Sequence, residues 1–154
     1  MSIRTTTHLN FRGDARAALD FYQSVFGGQV TIATYADFGM PHEAPGSDGV
    51  VFGQVETENG FHVMAYDIPG TSGGPAQSGG STRRENGATI TDQPFFVSVR
   101  GTSLDEVDGL WAKLSDGASI VEPLAASAWS PGFGMLTDRF GVTWVIDVAA
   151  AYAG

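Results

Sequence analysis

His8-Leu9-Asn10-Phe11-Arg12-Gly13-Asp14 and Phe95-Phe96-Val97-Ser98-Val99-Arg100-Gly101 set the architecture of this chain. Each is a short strand candidate that runs into Arg-Gly and then meets a helix start. Behind Gly13, Asp14 is placed as an N-cap, and Ala18, Phe21, Tyr22, Val25 and Phe26 keep helical spacing until Gly27-Gly28 stops them. Behind Gly101, Ser103-Leu104-Asp105-Glu106 is a capping-box sequence, and Leu104, Val107, Leu110, Trp111 and Leu114 form an apolar face that ends at Gly117. Three strand candidates follow each helix: Gln29–Ala36, Gly49–Thr57 and Phe61–Asp67, then Ser119–Leu124, Ala128–Thr137 and Val142–Val148. Asn59-Gly60 marks the turn between the last two of the first set. The order strand, helix, three strands therefore occurs twice, which is an internal repeat. Two βαβββ modules predict an α+β fold in which the helices cover one face of a cupped, mixed and mostly antiparallel sheet. The other face is left to curve around a ligand.

The expected division within one domain is module one at 1–68, a linker at 69–93 and module two at 94–154. Gly, Ser, Pro and Thr crowd the linker, which reads as an exposed flap. Its stretch Gly70 to Gly80 lacks the Gly-Lys-Ser/Thr ending of a phosphate loop.

Seventeen acidic against eight basic residues leave a net charge of −9 over 154 residues. The few Lys and Arg are scattered, so nucleic acid and anionic membrane surfaces are poor partners. No apolar run approaches the roughly 18 residues of a membrane span, and Met1 to Thr7 carries no signal-peptide core, so a soluble, cytoplasmic protein is expected. With no cysteine, any chemistry uses oxygen and nitrogen groups.

The repeat, with Ala17-Ala18-Leu19-Asp20-Phe21-Tyr22, Val25-Phe26-Gly27-Gly28 and the run Gly132-Phe133-Gly134-Met135-Leu136-Thr137-Asp138-Arg139-Phe140-Gly141-Val142-Thr143-Trp144, resembles the vicinal oxygen chelate superfamily. That superfamily includes glyoxalase I, bleomycin-resistance proteins and extradiol dioxygenases. The run ending in Trp144 is most similar to its PhnB-like branch, sometimes labelled demethylubiquinone methyltransferase-like. No strand leads through Gly-x-Gly into a helix in a parallel-sheet context, so the residues themselves lend the methyltransferase label no support.

The resemblance implies a small-molecule site in the cup, a homodimer and, in metal-using members, ligands on the first and last strand of each module. His8 matches the first such position, whereas Phe96 and Val145 fall on two others and cannot coordinate. His8, His62 and Asp147 are the remaining candidate set for a divalent metal, and their spacing is not a motif. The expectation is accordingly no cofactor, with a metal-dependent glyoxalase- or dioxygenase-type enzyme using His8 as the alternative. Strand alternation puts His8 and Asn10 on one face, away from Leu9 and Phe11. The expected ligand-binding residues are His8, Asn10, Phe52, Tyr66, Phe96 and Trp129, a mostly aromatic lining suited to an apolar or planar ligand. Trp144 is assigned to the core, and Asp147 reads as an exposed strand-end carboxylate.

Overall fold

The computed structural model describes residues 3–70 and 82–149. The chain divides into two compact units, Met1–Ala76 and Gln77–Gly154. The first contains β1 (Thr7–Phe11), α1 (Ala15–Phe26), β2 (Gln29–Thr34), a short 3-10 turn (Ala36–Phe38), β3 (Val50–Glu56) and β4 (His62–Asp67). The second contains β5 (Arg83–Glu85), β6 (Ala88–Ile90), β7 (Val97–Gly101), α2 (Leu104–Leu114), β8 (Ser119–Ala125), β9 (Phe133–Thr137) and β10 (Thr143–Val148). Their four-stranded sheets have the orders β1-β4-β3-β2 and β7-β10-β9-β8. In each, the first strand pairs parallel with the last, and the other pairings are antiparallel. The expected α+β fold of two βαβββ modules is observed.

The first core forms where α1 lies on its sheet. Ala15, Ala18, Leu19, Tyr22 and Val25 of the helix are buried, as are Leu9, Phe11, Val55, Val63 and Ala65 beneath it. Leu19 sits so close to β3 that a Cβ on Gly53 would fall 2.5 Å from its Cδ1, so any larger residue there would push the helix off the sheet. In the second unit, a Cβ on Gly134 would lie 2.7 Å from Trp111 Cζ3. Gly134 therefore admits the Trp111 indole against β9. Trp144 is fully buried, as expected.

Several expectations need correction. Asp14 occupies the N-cap position of α1 but makes no side-chain cap. The buried Asp67 at the end of β4 does so instead: its Oδ1 accepts from the Gly13 and Ala15 amides at 2.8 and 3.0 Å, and its Oδ2 from the Val50 amide at 2.9 Å. Ser103 does cap α2, accepting from the Glu106 amide at 3.3 Å. The strand read from Ala128 begins only at Phe133, because Ser127 and Ser130 fold the preceding residues into a turn. Residues 83–90, read as linker, form the β5–β6 hairpin, whose Asn86-Gly87 turn has both φ angles positive. The glycine-rich stretch from 71 to 80 lies outside the described residues.

The run Thr137 to Trp144 is a structural lock. Asp138, buried, accepts from the Phe140 and Val142 amides and from Trp144 Nε1, at 2.8, 3.1 and 2.9 Å. Arg139 donates to the Asp116 carbonyl just beyond the end of α2 and pairs with the Asp116 carboxylate at 3.1 Å.

Candidate functional site

Alternation and register place His8 and Asn10 of β1, His62, Met64 and Tyr66 of β4, and Phe52, Gln54 and Glu56 of β3 on the sheet face opposite α1. His8 and Asn10 are exposed there, while Leu9 and Phe11 point into the core. Within this set the structure brings His8, Asn10 and Tyr66 together. His8 Nδ1 lies 3.0 Å from Asn10 Oδ1, and the His8 and Tyr66 rings meet edge to face with centroids 5.3 Å apart. In the His8 tautomer protonated on Nδ1 this contact is an Nδ1–H···Oδ1 hydrogen bond, and Nε2 is then an acceptor. Phe52 shares the face and is 37 % exposed.

His62 is different. Its Nε2 donates to Gln54 Oε1 at 2.8 Å, and its Nδ1 accepts from the Thr6 hydroxyl at 3.0 Å, so both ring nitrogens are occupied. Gln54 continues into a groove of about 800 Å³ that also includes Thr31, Glu56 and Phe26. The face is thus richer in amides, hydroxyls and carboxylate than the aromatic lining expected. A recess of about 510 Å³ opens beside α1, lined by Arg16, Tyr35, Met40 and Ile68 among others. Burial raises the Tyr35 hydroxyl above its ordinary pKa, with Tyr66 and Asp67 acting in the same direction, and the hydroxyl donates to the Asp67 carbonyl at 2.7 Å.

In the second unit, Trp129 is 55 % exposed and sets its ring against Phe133 at 5.3 Å. Phe96 lies just before β7 and is half-buried. The match of Phe96 to His8 does not survive the register. Thr7–Phe11 pairs with Val63–Asp67 as Val97–Gly101 pairs with Trp144–Val148, and the Ile68 amide donates to Phe11 as the Ala149 amide does to Gly101. Ser98 therefore stands where His8 does, Arg100 where Asn10 does, and Asp147 where Tyr66 does. The two Arg-Gly pairs are not equivalent, because Arg12-Gly13 lies beyond the end of β1 whereas Arg100-Gly101 forms the last two residues of β7. Asp147 is buried rather than exposed, and both its oxygens accept from Arg100, from Nε and Nη2 at 3.0 Å each.

This donor set does not fit a metal. His62 has no free nitrogen, Asp147 is held by a guanidinium, and among the described residues no three His, Cys, Asp or Glu side chains form a group that could hold one. No helix among those residues is long and apolar enough to cross a membrane.

Two α-on-sheet modules of identical topology, with a polar and aromatic group on the uncovered face of the first, define a glyoxalase-like fold. The family model for the Glyoxalase/Bleomycin resistance protein/Dioxygenase superfamily matches residues 6–146, and the chain belongs to that superfamily. Protein PA1353 from Pseudomonas aeruginosa is similar over 96 % of this chain and 98 % of its own, with 26 % identity and a TM-score of 0.73. The PhnB protein from Bacillus cereus is 25 % identical over 96 % of this chain and 100 % of its own, with a TM-score of 0.65. A glyoxylase/bleomycin resistance protein/dioxygenase domain from Frankia, 13 % identical, covers 97 % of this chain and 99 % of its own at a TM-score of 0.61, and shares the fold. No curated protein matches.

Proposed function

We propose that this chain is a metal-free small-molecule-binding protein whose ligand is flat and partly polar. His8 Nε2 accepts a hydrogen bond from it, and the Tyr66 ring packs beside it. The observation that supports this most directly is the grouping of His8, Asn10 and Tyr66 on the uncovered face, where the His8 tautomer protonated on Nδ1 donates to Asn10 Oδ1 and keeps Nε2 as an acceptor. Asn10 and Phe52 complete the contact surface on that face; Phe96 and Trp129 are proposed as ligand contacts of the second unit taken by itself. The ligand is neither nucleic acid nor membrane, in keeping with the net charge of −9. A cysteine-free chain of this superfamily is suited to the cytoplasm.

A thermal-shift screen of metabolites and drugs tests the reading. A hit should bind His8→Ala at least tenfold more weakly than the parent, about 1.4 kcal/mol, while the melting temperature of the free variant stays within 2 °C or so, because His8 is exposed. Equal affinity for the parent and His8→Ala would remove His8 from the site.

The same reading includes a homodimer, since the outer strands β1, β2, β7 and β8 each present one hydrogen-bonding edge beyond their own four-stranded sheet. Sedimentation at micromolar concentration is expected to show a species of twice 16.2 kDa. A single 16.2 kDa species would count against it.

A further inference from the structure

The β5–β6 hairpin lies on the face of the second sheet that α2 leaves uncovered. Thr89 Oγ1 donates to Met135 Sδ at 3.6 Å, and Gln93 Nε2 donates to the hydroxyls of Thr82 and Thr143, at 2.7 and 3.1 Å. Met135 and Thr143 have the parity of Phe133, Val145 and Asp147, opposite to Leu136, Trp144 and Ile146 of the core. A three-residue by three-residue ribbon has little stability of its own, so these few contacts hold it in place.

The hairpin carries Arg84 onto this face. Its guanidinium carbon lies 5.2 Å from the centre of the Phe133 ring, and its Nη1 donates to Thr89 Oγ1 at 2.8 Å. The side chain is only 14 % exposed, and Nε is buried with no hydrogen-bond partner among the described residues. The nearest counter-charge is Glu122 Oε2 on β8, at 4.0 Å from Nε, and that carboxylate is itself 39 % exposed. Glu122 balances the charge of Arg84 at that distance without satisfying the N–H. A buried donor left unmade is costly, and a charged one more so, which makes this atom an unusual thing to keep unless something else fills it.

We infer that Arg84 is an anion-recognition residue for an aromatic carboxylate, held back in the free protein by Glu122. The edge of the guanidinium that bears Nε is one side of the planar fork that matches a carboxylate with two parallel hydrogen bonds. Beside it stand two aromatic rings, Phe133 under the guanidinium and Trp129 against Phe133, which suit a flat apolar body joined to that carboxylate. The carboxylate reaches Nε by displacing the partly exposed Glu122 side chain. The net negative charge of the chain opposes anions at long range, but at physiological salt this is screened beyond about 8 Å, so Arg84 and the Glu122 that the ligand displaces set the preference. The inference rests on the reading that the uncovered sheet faces take a ligand, and adds the ligand's charge and the residue that selects it.

Naphthalene-2-carboxylate, with 2-naphthylmethanol as its neutral counterpart, serves as the probe pair, titrated calorimetrically and by tryptophan emission. The parent is expected to bind the carboxylate at least tenfold more tightly than the alcohol. Arg84→Gln should make the two bind alike, and Glu122→Gln should tighten the carboxylate several-fold while leaving the alcohol unchanged. Glu122→Gln alters a half-exposed side chain and stays informative if Arg84→Gln perturbs the hairpin. Equal binding of both probes by the parent, a carboxylate preference that survives Arg84→Gln, or no carboxylate binding at millimolar concentration each overturns the assignment. None of these results bears on His8, whose role is decided by the His8→Ala comparison on the first unit.

Discussion

Asp138→Ala is expected to destabilise the fold by about 3 to 5 kcal/mol, read as a lower denaturant midpoint at unchanged slope. Asp138 is 4 % exposed and serves three donors at once, the amides of Phe140 and Val142 and the indole N–H of Trp144. Water can reach the two amides when the carboxylate is gone, because Phe140 and Val142 are only half-buried. It cannot easily reach Trp144 Nε1, since Trp144 is fully buried, so that donor remains unpaired inside the core. The turn that aims β9 back into β10 would loosen with it, and the Trp144 emission should shift to the red in the folded variant. An unfolding free energy within about 1 kcal/mol of the parent's would show that the lock is decorative.

Asp67→Ala should be nearly as damaging, by about 3 kcal/mol, with its effect concentrated in the first unit. One carboxylate there ties the loop before α1, the first residue of α1 and the first residue of β3 to the end of β4. Asp67→Asn keeps the shape but has a single carbonyl oxygen and turns an NH2 toward an amide donor, so it should recover less than half of the loss. Amide hydrogen exchange gives the local readout. Protection at Ala15 and Val50 should fall, whereas Val107, whose amide bonds to Ser103 within α2, should keep its protection. Uniform loss across both helices would mean that Asp67 acts on the whole chain rather than on the start of α1.

These two carboxylates also show what separates local from tertiary information. Asp138 was visible only as part of a string resembling a family, and nothing in its neighbours along the chain says that its third partner is an indole six residues away. Asp67 reads as the last residue of a strand. Its job depends on β4 lying parallel to β1, which puts the end of one strand beside the end of the other and so beside the start of α1. Asp14 had the better local claim to cap that helix, and it lost to a residue more than fifty positions away.

The sequence by itself determined the two βαβββ modules, the placement of both helices, the burial of Trp144 and the outward turn of His8 and Asn10. All of these follow from short-range signals: alternation with period two, apolar spacing near 3.6, capping residues and glycine stops. The β5–β6 hairpin was legible in principle from Asn86-Gly87, but its strands are three residues each, hold three charges in Arg83-Arg84-Glu85, and sit in a stretch crowded with Gly and Ser. Only the tertiary structure decided which residues of the second module correspond to His8 and Asn10, because register is set by pairing between distant strands, and that pairing takes Arg100-Gly101 into β7 while Arg12-Gly13 stays beyond β1. Pairing likewise occupied both nitrogens of His62 and closed Arg100 onto Asp147, which spacing along the sequence left open. The same distant packing brought Arg84, Phe133 and Glu122 to one sheet face, a juxtaposition with no local signature in any of the three segments.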